Sequence, residues 1–312
     1  MNTQMYKPEG FYVGADGREG FYSQGTLEKA LATGKILEAQ ATLCDSEFSL
    51  YVDLGSMKGK IPRSEAVYQP SGEEVKDIAV ITRVGKTVAF KVIGFAVENG
   101  ETVAVLSRRE AQKACLENYL MTLCPGDVVD AQVTHLEPFG AFVDIGCGII
   151  SLLSIDCISV SRISHPRDRF YTGMRIKVII KNIDAETSRI YVSHKELLGT
   201  WEENVSRFEI GQTIAGVVRS IEPYGIFVEL TPNLAGLAEY KEGAAVGQRA
   251  AVFIKNIIPE RMKIKLVLID AHRGEPLPAP QLRYFIHGDE VSHIDGWVYS
   301  PPGAKKRVET VF

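Results

Sequence analysis

Residues 126–153 read GDVVDAQVTHLEPFGAFVDIGCGIISLL, and residues 173–195 continue as GMRIKVIIKNIDAETSRIYVSHK. The runs AQVTHLE, GAFVDIG, RIKVIIKNI and RIYVSHK are rich in β-branched and aromatic residues. They alternate or run apolar between Gly and Pro breaks, which is the pattern of consecutive short strands. The pattern returns twice. Downstream it is GQTIAGVVRSIEPYGIFVELTPNLAGLA (211–238) with GQRAAVFIKNIIPERMKIKLVL (247–268), and an offset of 85 carries Phe139 to Tyr224 and Phe142 to Phe227. Upstream, ILEAQATLCDSEFSLYVDLGSMKGKIPRSEA (36–66), DIAVITRVGKTVAFKVIGF (77–95) and TVAVLSRRE (102–110) form a divergent copy. There an offset of 91 pairs Phe48 with Phe139, Tyr51 with Phe142 and Asp53 with Asp144.

Five short strands in a unit of about 70 residues are too few for a two-sheet sandwich. Closing the sheet into a small barrel removes its exposed edges. The expected fold is therefore all-β with connecting helices: three tandem five-stranded OB-fold barrels. Gly140 and Gly225, inside strand-like runs, suit a sharp bend or a close backbone approach. Ser49 stands at that place in the first repeat. The organisation expected is an N-terminal extension with one short helix (1–33), a first barrel (34–107), a connector helix (108–125), a second barrel (126–195), a second connector helix (196–210), a third barrel (211–270) and a C-terminal extension (271–312). The first helix is expected over TLEKALAT, from Thr26 to just before Gly34. The connectors RREAQKACLENYLM and KELLGTWEENVSRF carry apolar residues near helical spacing, whose role is packing. In the C-terminal extension, LRYFIHGDEVSHIDGWVYSP reads as a hairpin turning near Gly288 and Asp289.

Hydrophobic residues make up 45% of the 312-residue chain and charged residues 24%, so each unit can bury its own core. No apolar run approaches the ~18–20 residues of a membrane span. The start, MNTQMYKPEG, has no basic flank followed by an apolar stretch, so no signal peptide is expected and a cytoplasmic location follows. The five cysteines include no CxxC pair and the six histidines no HExxH or HxxxH, so neither a disulfide framework, a metal site nor a cofactor is expected. The formal net charge of −4 sits awkwardly with nucleic-acid binding. Counted locally, however, Lys/Arg against Asp/Glu is 8 to 10 over 34–107, 8 to 8 over 126–195 and 7 to 6 over 211–270.

Phe139-Gly140-Ala141-Phe142-Val143 and Tyr224-Gly225-Ile226-Phe227-Val228 repeat one motif. Strand residues three apart point to opposite faces, but a Gly bend or bulge between them can bring both rings to one surface. Two adjacent exposed rings form a platform on which bases stack for about 1–3 kcal/mol each, with little sequence preference. The competing reading is that the rings simply pack the barrel, and a lone strand aromatic would favour it. The recurrence of the spacing weakens it.

These residues resemble the S1 RNA-binding domain, the OB-fold repeat of ribosomal protein S1. The resemblance covers about 200 of the 312 residues and is most complete in the middle repeat: Gly126, the PFGAFVDIG turn, Gly173 before RIKVIIKNID, and the closing RIYVSHK. The arrangement as a whole is similar to the shorter, clostridial-type homologues of that family. The resemblance implies an RNA surface built from the ring pair, a histidine after the third strand, and an Asp and an Arg flanking the last turn. In the middle repeat these fall on Phe139, Phe142, Asp184 and Arg189, with Ser154 at the histidine position. In the last repeat they fall on Tyr224 and Phe227, with Glu239, Ile258 and Lys263 at the other three places. In the first repeat only Phe48 and Tyr51 match. Lys255, Lys263 and Lys265 offer a phosphate track beside the third pair of rings. The implied partner is single-stranded RNA, mRNA above all, bound by a monomer. The acidic first repeat is the candidate for docking on the small ribosomal subunit. Two other readings compete: a protein–protein adaptor, or an RNA-binding factor of decay or regulation. The repeats fill the chain and no GxxxxGK[ST] loop or carboxylate cluster stands out, so an enzyme is not expected.

Overall fold

The computed structural model describes residues 6–12, 21–69, 75–272, 282–285 and 292–312. It contains three closed five-stranded barrels. The first is built from β1 (Ile36–Cys44), β2 (Leu50–Asp53), β3 (Lys58–Ile61), β4 (Thr87–Glu98) and β5 (Glu101–Ser107). The second comprises β6 (Val128–Glu137), β7 (Gly140–Asp144), β8 (Ile150–Ser154), β9 (Arg175–Asp184) and β10 (Arg189–Ser193). The third comprises β11 (Thr213–Glu222), β12 (Gly225–Thr231), β13 (Leu234–Ala238), β14 (Arg249–Ile258) and β15 (Lys263–His272). In each the first strand pairs with the second and fourth, and the third and fifth run parallel. This is the OB arrangement expected from the strand pattern.

Alternation supplies each barrel with its own core. Val129, Ala131, Val133, Val143, Leu153, Ile176, Val178, Ile180 and Val192 point inward in the second. Leu50, Val52, Phe90 and Leu106 do so in the first, and Ile226, Val228, Val252, Ile254 and Leu266 in the third. The first helix, α1, spans Gln24–Thr33. It starts two residues before the expected Thr26 because the Ser23 hydroxyl accepts from the Thr26 N–H, and it ends at Gly34 in the left-handed region (φ 65°). Its Leu27 and Ala30 cover the first core. A short helix, α2 (Asp77–Ile81), lies between β3 and β4.

The connectors differ from a pair of plain helices. The first, α3 (Arg108–Asn118), is capped by Ser107, and its Cys115 and Leu116 enter the second barrel's core. The second is broken. A 3-10 turn at Lys195–Leu198 stops at Gly199 (φ 83°, ψ 167°), and α4 (Trp201–Val205) restarts behind a Thr200–Glu203 capping box. The buried Trp201 belongs to the third core, so the connector's aromatic residue does serve packing.

Both extensions are strapped onto the barrels. Lys7 pairs with Asp130 at 2.5 Å, and the Cys147 N–H donates to the Lys7 carbonyl at 2.8 Å. The Glu9 N–H donates to Asp144 at 2.8 Å, while the Glu9 carboxylate accepts from Arg108 at 2.6 Å and from the Ala89 N–H at 3.1 Å. The segment thereby ties the first barrel to the second. At the other end, the Phe285 N–H donates to Leu197, the Val128 N–H to Ser292 and the Trp201 N–H to Tyr299. The described C-terminal hairpin pairs β16 (Gly296–Val298) with β17 (Glu309–Val311); the expected turn at Gly288 and Asp289 lies outside the described residues.

Under the N-terminal strap Glu38 is 5% exposed. Burial, with Glu9 and Asp144 nearby, pushes its carboxyl from an ordinary 4.5 up to about 7. A raised carboxylate pKa means that the folded state binds a proton the unfolded state has released, so stability falls as pH rises from about 4.5 to about 7. The part due to Glu38 is on the order of 3 kcal/mol. Glu38→Gln is expected to flatten this part of the pH–stability curve, measured by urea unfolding at several pH values. Parallel curves for the two proteins would refute the assignment.

Candidate nucleic-acid interface

Phe139 lies on the two-residue turn Pro138–Phe139 between β6 and β7, not on a strand. Its ring, 55% exposed, meets the half-buried ring of Phe142 edge to face, with centroids 6.0 Å apart and planes at 90°. Tyr224, on the turn Pro223–Tyr224, meets Phe227 in the same way at 6.2 Å and 90°. Edge-to-face packing is a preferred aromatic geometry and fixes the angle of the platform. The rings therefore converge because one leaves the strand, and no bulge lies between them. The glycine's role is close approach. A Cβ at Gly140 would sit 2.5 Å from the Leu153 carbonyl oxygen, and one at Gly225 2.4 Å from that of Ala238.

The first repeat places its two rings differently. Phe48 takes a left-handed φ of 60°, packs partly into the core and lies under the Arg63 guanidinium at 5.3 Å. Tyr51 lies under the Lys60 ammonium at 5.6 Å, and Lys60 in turn pairs with Glu98 at 2.8 Å. Each ring is thus covered by a cation.

Strand register extends the surface around each barrel. In the second, a bulge between Val133 and His135 puts His135 opposite Phe142; Phe142 pairs with Leu152, Leu152 with Tyr191, and Tyr191 with Asn182. All five face outward. His135 lies 6.3 Å from Phe142, and Tyr191 is 38% exposed. The matching row in the third barrel is Ser220, Phe227, Leu237, Lys265 and Asn256. In the first it is Leu43, Tyr51, Lys60, Val105 and Gly94. His135 and Tyr191 escape the motif-based reading. The bulge that brings His135 beside Phe142 is set by pairing, and an alternating strand alone does not reveal it.

The remaining candidates sit around these rows. Ser154 pairs with Gly140 across β7 and β8, and its hydroxyl donates to Asp156; that bond, with nearby Lys181 and Lys195, holds the carboxyl below its ordinary range against the opposing effect of burial. Asp184 opens the β9–β10 turn and faces Arg189 across it. It accepts from the Thr187 hydroxyl and from the Thr187 and Glu186 N–H groups, which hold its pKa low. Arg189 is exposed on the same face of β10 as Tyr191. In the third barrel Ile258 faces Lys263 at the corresponding turn, while Lys255, at the bulge between Ile254 and Asn256, is exposed. Among the described residues no ring contact joins Asp184 or Arg189 to the Phe139–Phe142 pair.

Among the described residues no group of three or more His, Cys, Asp or Glu is placed to hold a metal ion, and no helix is long and apolar enough to cross a membrane. The cleft between Leu198, Asn204, Arg207 and Phe285 encloses about 200 Å³. That is small beside the ~300–1,000 Å³ of typical ligand sites.

Three barrels of one topology, two of them exposing an edge-to-face ring pair on the first hairpin, define a tandem OB-barrel protein. Residues 123–195 match the S1 RNA-binding domain, so the second barrel is a domain of that family. Over 225 residues it is 34% identical to the small ribosomal subunit protein bS1 of Staphylococcus aureus, covering 70% of this chain and 55% of that protein. Over 293 residues it is 28% identical to the bS1 homolog of Bacillus subtilis, covering 92% and 72%. The chain thus spans little more than half the length of the first of these relatives. Among solved structures, a multidomain protein with nucleic acid binding domains from Streptococcus pneumoniae aligns loosely, at 16% identity and a TM-score of 0.24, over 78% of this chain and 75% of that one.

Proposed function

We propose that this chain binds single-stranded RNA, mRNA above all, on its second and third barrels and acts in translation as an S1 homologue. The observation that carries the reading is the ring pair presented on the same turn of two barrels. Exposed rings with phosphate-reaching cations beside them suit unpaired bases, which offer a free π face. Asp184 with Arg189, and Lys255 with Lys263, would hold the backbone while the bases stack; Ser154 takes the place of a larger contact. The second barrel ranks first, the third second. The chain is read as a monomeric, cytoplasmic binding protein and not as a catalyst.

The first barrel favours a protein surface instead. Arg63 and Lys60 cover its rings, while Leu43 is 55% and Val97 73% exposed. It would dock the chain on the small ribosomal subunit. One binding study tests both halves. The whole chain is titrated with a single-stranded RNA and with the same RNA in duplex form, and is then co-sedimented with small ribosomal subunits. The single strand is expected to bind more tightly, with a log–log salt slope of roughly −0.7 per phosphate contact. Leu43→Asp with Val97→Asp is expected to abolish co-sedimentation alone. Equal affinity for single strand and duplex would overturn the RNA reading, and undiminished co-sedimentation the docking one.

A further inference from the structure

We infer that the second barrel carries two base-stacking positions beyond the ring pair, His135 and Tyr191, which bind further nucleobases of the same RNA strand. The inference rests on the RNA-binding reading and names which part of its surface takes additional bases. Strand register sets His135, Phe142, Leu152, Tyr191 and Asn182 side by side across the barrel wall, all facing outward. The His135 side chain is 63% exposed and its ring is inclined by only 31° to that of Phe142. Leu152 continues the apolar surface from Phe142 to Tyr191, and Arg189 stands two residues before Tyr191 on the same face of β10.

Barrel architecture does not require rings at these places. The third barrel closes equally well with Ser220 where the second has His135 and with Lys265 where it has Tyr191, while Phe227, Leu237 and Asn256 keep the rest of the row. The first has Leu43 and Val105 there. His135 bonds Glu137, two residues along, at 2.6 Å, and Tyr191 is 38% exposed, so both rings are held in place yet open to solvent on one face; contiguous rings of this kind suit successive unstacked bases. The two RNA barrels thereby divide the work. The second draws its affinity mainly from stacking, which salt weakens little. The third draws more from Lys265 on phosphate, which salt weakens strongly.

The test is a titration of the full chain with labelled oligoadenylate and oligouridylate across a range of salt. His135→Ala and Tyr191→Ala are each expected to weaken binding about 5- to 10-fold, with thermal melting unchanged since both side chains are exposed. Tyr191→Ala should leave the salt slope as it is, whereas Lys265→Ala should make it shallower by about 0.7. Tyr191→Phe and His135→Phe, which keep a ring, should restore binding. Wild-type affinity in both alanine variants, while Phe139→Ala with Phe142→Ala still weakens binding, would overturn this inference alone. Wild-type affinity in the Phe139/Phe142 variant as well would overturn the RNA reading with it.

Discussion

Replacing both Phe139 and Phe142 by alanine is expected to lower the affinity for single-stranded RNA by roughly 30- to 20,000-fold, because each ring stacks a base for about 1–3 kcal/mol. Phe139 stands on a turn and is more than half exposed, so its truncation leaves the barrel core intact. Phe142 is half buried, and its loss also removes the ring between His135 and Leu152. The fold should survive because the inward positions Val133, Val143 and Leu153 are untouched. Replacing Tyr224 and Phe227 in the third barrel should weaken binding less, since Lys265 keeps its hold on phosphate. Fluorescence anisotropy gives the affinity and circular dichroism the fold. Unchanged affinity with an unchanged spectrum would show that the ring pair does not bind RNA.

The strand pattern of residues 126–195 and its two copies made the barrels legible, because alternation and turn residues are local properties. The ring pair was legible too, since it recurs at a fixed offset. How the rings meet was not. Whether Phe139 lies on a strand or a turn depends on where β6 ends, and boundaries shift by a residue or two with tertiary pairing. The register that lines Tyr191 up with Leu152 comes from a parallel pair far apart in sequence, and a sequence pattern gives face but not neighbour. The straps were illegible for the same reason: Lys7 meets Asp130, and Phe285 meets Leu197, across long stretches of sequence. Gly199, by contrast, was visible as the one interruption in the second connector, and it is where the helix breaks.

Glu229→Gln is expected to destabilise the joint between the second and third barrels by about 3–5 kcal/mol, the range for removing one partner of a buried ion pair. Arg169, fully buried, donates to Glu229, to the Pro232 carbonyl at 3.2 Å and to Ser159 at 3.5 Å. Glu229 also pairs with Arg219 at 3.0 Å, and Arg219 with Asp168 at 3.0 Å. Neutralising Glu229 leaves two buried or half-buried guanidinium groups facing Asp168 alone. Asn233 reinforces the joint, accepting from the Val160 N–H at 2.9 Å and donating to the Lys195 carbonyl at 2.9 Å. Both tryptophans of the chain, Trp201 and Trp297, lie in the third core, so their fluorescence during urea unfolding reports this barrel. Removing the charges together, Arg169→Met with Glu229→Leu, should recover much of the loss, because neither buried charge is then stranded. The consequence for RNA follows from linkage. Barrels held at a fixed spacing present the second platform at high effective concentration once the first is occupied. Glu229→Gln should therefore weaken binding of an RNA long enough to span both platforms, while leaving a short oligonucleotide bound as before. Equal loss on long and short RNA would place Glu229 in the RNA surface itself, and no loss of stability would remove it from the joint.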